Sequence, residues 1–173
     1  MKIVLLGYMG CGKSAVGKQL ARLLKRSFVD LDQAIEEDQK MTIAQLFDVK
    51  GEIYFRKKEQ VLFTSLLRAK QDVVLSLGGG TPCYGNLMEQ LTNTPDVVSI
   101  YLSASVDTLT ARLFLEKETR PMISHISEKQ VLNDFLRKHL FERSFYYNQA
   151  HHKVAVDKKS LEEIVASIVA LLF

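Results

Sequence analysis

The chain has 173 residues, 47% of them hydrophobic and 25% charged, a composition typical of a folded domain with one core. Its 23 basic and 20 acidic residues leave a net charge of +3, and no basic block is dense enough to indicate a nucleic-acid partner. No segment approaches the ~20 apolar residues of a membrane-spanning helix, and two cysteines are too few for a disulfide framework. We therefore expect one domain over residues 1–173 in the cytoplasm, with free thiols and neither nucleic acid nor membrane as partner.

Short apolar runs alternate with helical patterns, which predicts an α/β fold whose parallel sheet is covered on both faces. Ser160 and Glu163 have the spacing of a capping box at the start of the last helix, and Ser127 and Gln130 have the same spacing near residue 128. The β-branched runs predict five strands, at residues 2–6, 27–29, 73–77, 97–102 and 152–156.

The segment GYMGCGKS, residues 7–14, follows the first predicted strand and matches the P-loop pattern G-x-x-x-x-G-K-[ST]. In such a loop the lysine ammonium contacts phosphate oxygens of ATP, and the hydroxyl that follows binds Mg²⁺. The predicted nucleotide-binding residues are Gly10, Cys11, Gly12, Lys13, Ser14 and Ala15.

The same loop also satisfies the looser G-x-G-x-x-[GA] pattern of dinucleotide-binding folds, in which Asp30 or Asp32 would contact the ribose. Lys13 and Ser14 have no role in that fold, because its loop backbone and helix dipole hold the pyrophosphate. A chain of 173 residues also leaves no room for a substrate domain beside a six-stranded dinucleotide fold. The sequence therefore favours the P-loop over a redox-cofactor site.

Two carboxylates follow the second predicted strand in the segment FVDLD. Asp30 and Asp32 would lie near the carboxyl edge of the sheet, where α/β folds bind ligands. Alternate residues of an extended strand point the same way, so we expect both to face the phosphates, one supporting Mg²⁺ through water and one contacting the acceptor hydroxyl. The alternative is that an aspartate caps the helix that follows.

Candidate acceptor-binding residues follow in the middle of the chain. Arg56 lies early in a long predicted helix, in the segment GEIYFR. Gly78, Gly79 and Gly80 follow a buried strand, and three consecutive glycines predict a tight bend or a close approach of the backbone to a ligand.

The charged stretch from about 114 to 126 is the predicted lid, and it contains Arg120. A lid arginine stabilises charge on the transferring phosphoryl group, whereas an arginine near an acceptor, such as Arg143, pairs with a carboxylate. Spacing alone does not distinguish these two from other arginines, such as Arg22, Arg68 and Arg137.

The ordered set G-x-x-x-x-G-K-S, DLD, GEIYFR, LSLGGG, TRP and ERSFYY resembles the shikimate kinases over nearly the whole chain. The resemblance implies a five-stranded parallel sheet flanked by helices, as in nucleoside-monophosphate kinases, and a monomer. It also implies an ATP- and Mg²⁺-dependent phosphorylation of the 3-hydroxyl of shikimate in aromatic amino acid biosynthesis.

The resemblance further implies roles for single residues. Lys13 would be catalytic and Ser14 would serve Mg²⁺, with Asp30 supporting the metal through water. Asp32 would hold the acceptor hydroxyls and act as the base, and Arg120 would be the lid arginine that reaches ATP. The residues implied to bind the shikimate carboxylate and ring are Arg56, Gly79 and Arg143, beside Gly78 and Gly80.

The lid stretch FLEKET departs from the family, because it lacks the usual basic and glycine-rich character. Arg112 is the nearest candidate for the arginine that stacks on adenine. A gluconate kinase or a nucleoside-monophosphate kinase would share the fold and the P-loop. A nucleotide-binding module without turnover is a further alternative, which the presence of Lys13, Ser14, Asp30 and Asp32 disfavours.

Overall fold

The structure, a computed structural model, describes every residue from Met1 to Phe173. Its five strands form one parallel sheet in the order β2-β3-β1-β4-β5. Each strand agrees with its predicted range to within one residue at either end. The strands are β1 (Lys2–Leu6), β2 (Ser27–Asp30), β3 (Val73–Ser76), β4 (Val97–Ser103) and β5 (His152–Ala155).

Seven α-helices flank this sheet, so the predicted fold class is confirmed. Two short 3₁₀ segments, Thr81–Cys83 and Lys117–Thr119, lie in the connections. No helix in the chain combines the length and the apolar character needed to cross a membrane. The helices are α1 (Lys13–Leu23), α2 (Leu31–Gln39), α3 (Ile43–Arg68), α4 (Leu87–Asn93), α5 (Val106–Glu116), α6 (Lys129–Tyr147) and α7 (Leu161–Leu172).

The central strand β1 is the most deeply buried part of the core. It pairs with β3 on one side and β4 on the other, and the side chains from Ile3 to Leu6 have no exposed surface. Each such side chain contributes about 1.5–3 kcal/mol by leaving water. The loops that leave the carboxyl ends of β1 and β3 therefore start from a rigid base, and these loops carry the P-loop and the glycine run.

The helix ends follow one capping prediction and contradict another. Ser160 Oγ accepts a hydrogen bond from the Glu163 backbone N at 3.2 Å, and Glu163 Oε2 accepts one from the Ser160 N at 2.7 Å, which is the predicted capping box. The predicted box at Ser127 and Gln130 is wrong. Helix α6 begins at Lys129, so its N-cap is Glu128, which makes no side-chain capping bond.

Gly51 interrupts the long helix α3. Its φ of 81° and ψ of 167° are not helical, and the positive φ is one that only glycine adopts without strain. Arg56 therefore lies early in the second segment, as predicted, and the break sets the direction of the segment that carries it.

The predicted lid begins inside α5, which continues to Glu116. The rest is a 3₁₀ turn and further turns, tied to the body where Ile123 and Ile126 are buried. Lys117 Nζ donates to the Ile126 carbonyl at 3.0 Å and closes the segment on itself. The exposed part of the lid is thus the stretch around Arg120.

Candidate active site

A pocket of about 410 Å³ opens at the carboxyl edge of the sheet. Its walls come from the β1–α1 loop, the start of α2, the segment after β3 and the lid, which is where α/β folds bind ligands. Ten predicted site residues line it: Gly10, Gly12, Lys13, Ser14, Ala15, Asp30, Asp32, Gly78, Gly79 and Arg120.

The P-loop presents the start of α1 to this pocket. Gly12 caps the helix in a left-handed conformation, without a side chain to occupy the free N–H groups, and the first turn has no acidic residue. Lys13 Nζ donates to the Gly7 carbonyl at 2.8 Å and to the Tyr8 carbonyl at 3.0 Å. Unpaired N–H groups and the positive end of the helix dipole attract anions, so the loop is arranged to hold phosphate.

Cys11 and Arg112 support the loop from behind. Cys11 is 1% exposed and does not line the pocket, so the structure places this predicted nucleotide-binding residue behind the loop. Arg112 Nη1 donates to the Gly10 carbonyl at 3.1 Å. The structure thus brings the adenine candidate Arg112 to the loop backbone and not to the pocket wall.

Asp30 performs two tasks with its two oxygens. Oδ1 accepts hydrogen bonds from the backbone N of Asp32 and Gln33 and so caps α2, whereas Oδ2 accepts from Ser14 Oγ at 2.8 Å. The predicted extended geometry for the two aspartates is wrong, because β2 ends at Asp30 and Asp32 lies in the first turn of α2. The capping alternative and a place in the pocket are both true of Asp30.

Asp32 lies in an environment that disfavours its charge. Burial, and then the negative charges of Asp30 and Glu59, raise the pKa of Asp32 from 3.8 to about 6, although Lys13 and Arg56 act in the opposite direction. A carboxylate whose pKa lies near neutrality is suited to accept a proton from a substrate hydroxyl.

Arg56 is held by a buried network. Its Nη1 lies 2.8 Å from Oε2 of Glu59, a side chain that is 1% exposed, and Glu59 Oε1 accepts from Thr81 Oγ1 at 2.5 Å. The Glu52 carboxylate lies 3.5 Å from Arg56 Nε, which makes no hydrogen bond. The guanidinium carbon is 3.8 Å from the ring centroid of Tyr84. One edge and one face of Arg56 are therefore fixed.

The three consecutive glycines each lie against a different predicted site residue. A Cβ on Gly78 would be 2.6 Å from Asp32 Oδ1, one on Gly79 would be 3.6 Å from Arg143 Nη1, and one on Gly80 would be 2.9 Å from Arg56 Nη2.

The run forms the expected tight bend without a positive φ at any of the three glycines, since the Thr81 N donates to the Gly78 carbonyl at 3.2 Å. The small size of the glycines also allows the close approach of these side chains. Tyr147 Oη donates to the Gly79 carbonyl and helps fix the run.

Arg120 meets the pocket from the lid. Its Nη2 lies 3.0 Å from Oε2 of Glu116 one helical turn earlier, and both residues line the pocket. Its Nε makes no hydrogen bond. Arg120 is thus paired with a carboxylate at the pocket wall.

The sequence reasoning missed several residues that complete the site. Glu59 lies three residues after Arg56 on a helix, a spacing at which opposite charges meet, so a local signal for this pair existed. Glu116 lies four residues before Arg120, so the same kind of local signal existed there. The others contact the site across long sequence separations, which no spacing reveals: Thr81, Tyr84 and Tyr147.

A five-stranded parallel sheet with a P-loop after its central strand, a carboxylate pair after β2 and two arginines at a glycine run define a P-loop kinase of small molecules. A sequence model of the family described as "Shikimate kinase" matches residues 9–173. The shikimate kinase of Flavobacterium johnsoniae is 48% identical over 171 residues, which cover 99% of this chain and 98% of the relative.

Solved structures agree. The shikimate kinase from Bacteroides thetaiotaomicron superimposes with a TM-score of 0.90 at 35% identity, covering 99% of this chain and 98% of that one. The shikimate kinase from Acinetobacter baumannii, solved in complex with shikimate, superimposes with a TM-score of 0.86 at 31% identity. The match covers 99% of this chain and 92% of that one. This chain belongs to the shikimate kinase family. The predicted family, fold class and shikimate kinase activity are confirmed, in preference to the gluconate-kinase, nucleoside-monophosphate-kinase and non-catalytic alternatives.

Proposed function

We propose that the γ-phosphoryl group of ATP passes to the 3-hydroxyl of shikimate in the pocket between the P-loop and the glycine run. One observation carries this proposal: consecutive glycines lie against Asp32, Arg143 and Arg56 in turn. A proton acceptor and two guanidinium groups are thereby gathered on one short stretch of backbone. An acceptor with a carboxylate and ring hydroxyls matches that arrangement.

ATP would bind by its phosphates at the P-loop. The ammonium of Lys13 would exchange the two backbone carbonyls that now hold it for phosphate oxygens. The backbone from Gly10 to Ala15 would supply the N–H groups that cradle the phosphates, and Arg112 would keep the loop in place.

Ser14 and Asp30 are the residues that would hold Mg²⁺. The hydroxyl and carboxylate oxygens, 2.8 Å apart at the pocket wall, are the hard donors that this ion prefers, and the ion keeps several waters through which Asp30 could act. When bound, Mg²⁺ would neutralise charge on the β- and γ-phosphate oxygens.

Arg56 and Arg143 would bind the shikimate carboxylate. Guanidinium groups suit this task because they donate paired hydrogen bonds in the plane of a carboxylate. Glu59 would orient Arg56 without touching the substrate, since both of its oxygens are already used within the protein. The shikimate complex of the Acinetobacter relative supports the choice of acceptor.

Asp32 would then hold the 3-hydroxyl and take its proton as the oxygen bonds to the γ-phosphorus and the bond from that phosphorus to ADP breaks. Arg120 would exchange Glu116 for the transferring phosphoryl group, stabilise its charge and bring the lid over the pocket. Little covalent chemistry is asked of the protein, and alignment provides most of the acceleration.

The test is ADP release with shikimate, quinate, gluconate, AMP and CMP offered separately. We expect the highest kcat/KM with shikimate. A higher kcat/KM with gluconate or a nucleotide would contradict the proposal.

We also propose that residues 1–173 act as one domain and as a monomer, as the resemblance to the shikimate kinases implies. Light scattering behind a size-exclusion column tests the oligomeric state: a single peak at 19.6 kDa is expected, and a dimer mass would contradict it.

A further inference from the structure

Tyr8 is a P-loop residue whose side chain packs against helix α6. Its backbone carbonyl accepts from Lys13 Nζ at 3.0 Å, so its main chain belongs to the nucleotide site. Its side chain is 1% exposed and reaches α6, where its hydroxyl oxygen lies 2.7 Å from His139 Nδ1. One residue thus touches both the ATP loop and the helix that carries Arg143.

The phenol ring lies against two residues of α6. The rings of Tyr8 and His139 meet edge to face with centroids 5.5 Å apart, and the Arg143 guanidinium carbon is 5.7 Å from the Tyr8 centroid. His139 and Arg143 are four residues apart and so lie on the same face of the helix. Tyr8 therefore packs on the face that directs Arg143 toward Gly79.

The polarity of the hydrogen bond follows from the surroundings. Burial raises the pKa of Tyr8 well above its usual range, so the phenol keeps its proton. Burial and the nearby Arg143 charge lower the pKa of His139, so its imidazole is neutral near pH 7. The Tyr8 hydroxyl has no other hydrogen-bond partner, so its buried proton is satisfied when Tyr8 donates to Nδ1 of the part-buried His139 in the tautomer with the proton on Nε2.

We propose that Tyr8 is a positioning residue for the acceptor: through its ring and its bond to His139, it holds α6 so that Arg143 stands at Gly79. The inference rests on the proposed role of Arg143 in binding the shikimate carboxylate. Tyr8 would thus affect the binding of shikimate although it lies in the loop that binds ATP. The P-loop motif itself does not specify such an effect.

The test compares Tyr8→Phe, His139→Leu, the double variant and His139→Asn by steady-state kinetics. Tyr8→Phe keeps the buried ring and removes only the hydrogen bond, so we expect the KM for shikimate to rise about 3- to 10-fold, with the KM for ATP little changed.

His139→Leu should raise the KM for shikimate similarly, and the double variant should be no worse than the poorer single one, because both remove the same bond. His139→Asn places an amide oxygen near the position of Nδ1 and should restore much of the loss.

Tyr54→Phe is the matched control, since it removes a tyrosine hydrogen bond of the same 2.7 Å length, to Gln39, away from Arg143. It should leave the KM for shikimate unchanged. Equal rises in the KM values for ATP and shikimate in Tyr8→Phe, or additive effects in the double variant, would overturn the inference.

Arg143→Met distinguishes a failure of the positioning role of Tyr8 from a failure of the proposed role of Arg143. If it raises the KM for shikimate while Tyr8→Phe and His139→Leu do not, the positioning role is wrong and the proposed function stands. If Arg143→Met itself leaves the KM for shikimate unchanged, the assignment of Arg143 is wrong, and the inference fails with it.

Discussion

Asp32 is a residue at which the needs of stability and of catalysis oppose each other. Its carboxyl group has a pKa of about 6 in the folded chain against 3.8 for the unperturbed group, because burial disfavours the charged form. The folded state therefore binds more protons than the unfolded state between these two values, and the contribution of Asp32 to stability falls as pH rises from about 4 to about 6. The charge that the proposed proton transfer needs therefore weakens the fold.

Asp32→Asn should accordingly stabilise the metal-free, nucleotide-free protein at pH 7. The gain is at most about 3 kcal/mol, the free energy of a two-unit pKa shift. Thermal unfolding in EDTA at several pH values measures it: the difference in Tm between variant and wild type should be small below pH 4 and grow up to pH 6. A difference independent of pH would contradict this account of Asp32.

Arg56 is the residue on which acceptor binding should depend most. Arg56→Ala would leave the substrate carboxylate with Arg143 as its one remaining cation, at a cost of about 2–5 kcal/mol. Calorimetric titration should then show shikimate affinity reduced about 30-fold or more, with ATP affinity little changed. The melting temperature should also fall, because the buried Glu59 loses its cation.

Lys58→Ala provides the control for Arg56, since it removes a cation from the same helical segment at a site that faces the Tyr54 ring. It should leave both affinities unchanged. Equal losses of ATP and shikimate affinity in Arg56→Ala would indicate a purely structural role for Arg56.

The positions of the strands could be predicted because a buried strand requires a run of apolar residues, which is visible in the sequence. The strands β1 and β3 are buried on both faces, so a continuous apolar run is the condition for their position and also the signal for it. The break in α3 was not predictable, since it depends on the positive φ of Gly51, and glycine also occurs inside helices.

Some residues of the candidate site could likewise be predicted from the sequence, and others could not. Lys13 and Ser14 lie within one loop of eight residues at the pocket, so their spacing in the sequence was enough to predict them. Glu59 meets Thr81 across 22 residues and Tyr147 meets Gly79 across 68, and only the packing of the elements brings these pairs together. The glycine run was recognised, but its use was not, because crowding by Asp32 appears only in three dimensions.

Gly78→Ala tests this crowding. Its Cβ would lie 2.6 Å from Asp32 Oδ1, so the carboxylate must move, and a displacement near 1 Å costs about 100-fold in rate. Initial rates of ADP release should show a loss in kcat larger than any change in the KM for ATP. Gly17→Ala adds a methyl that crowds Phe28 outside the pocket, and it should lower the melting temperature while keeping the KM for shikimate. A fully active Gly78→Ala enzyme would contradict the prediction.

For the molecule as a whole, the proposed closure of the lid would require Arg120 to exchange one anion for another. In the structure its guanidinium is paired with Glu116, at the pocket that would receive the phosphates. Glu116 would therefore compete with the phosphates of ATP for the Arg120 guanidinium.

Glu116→Gln should lower the KM for ATP. A partly exposed ion pair of this kind is worth about 0.2–1 kcal/mol, so the KM should fall by up to about fivefold. Glu118→Gln removes the same charge from the same segment and should have little effect. An unchanged or higher KM for ATP in Glu116→Gln would show that the pair does not compete with nucleotide.

We expect the P-loop to deliver the phosphoryl group of ATP to shikimate. ADP release by the wild type and by Lys13→Met, with ATP, Mg²⁺ and shikimate present and with shikimate omitted, tests it most directly. We predict that wild-type release depends on shikimate and falls by about 100-fold or more in Lys13→Met, which still unfolds cooperatively. Unchanged release by Lys13→Met, or wild-type release that does not depend on shikimate, would contradict the claim.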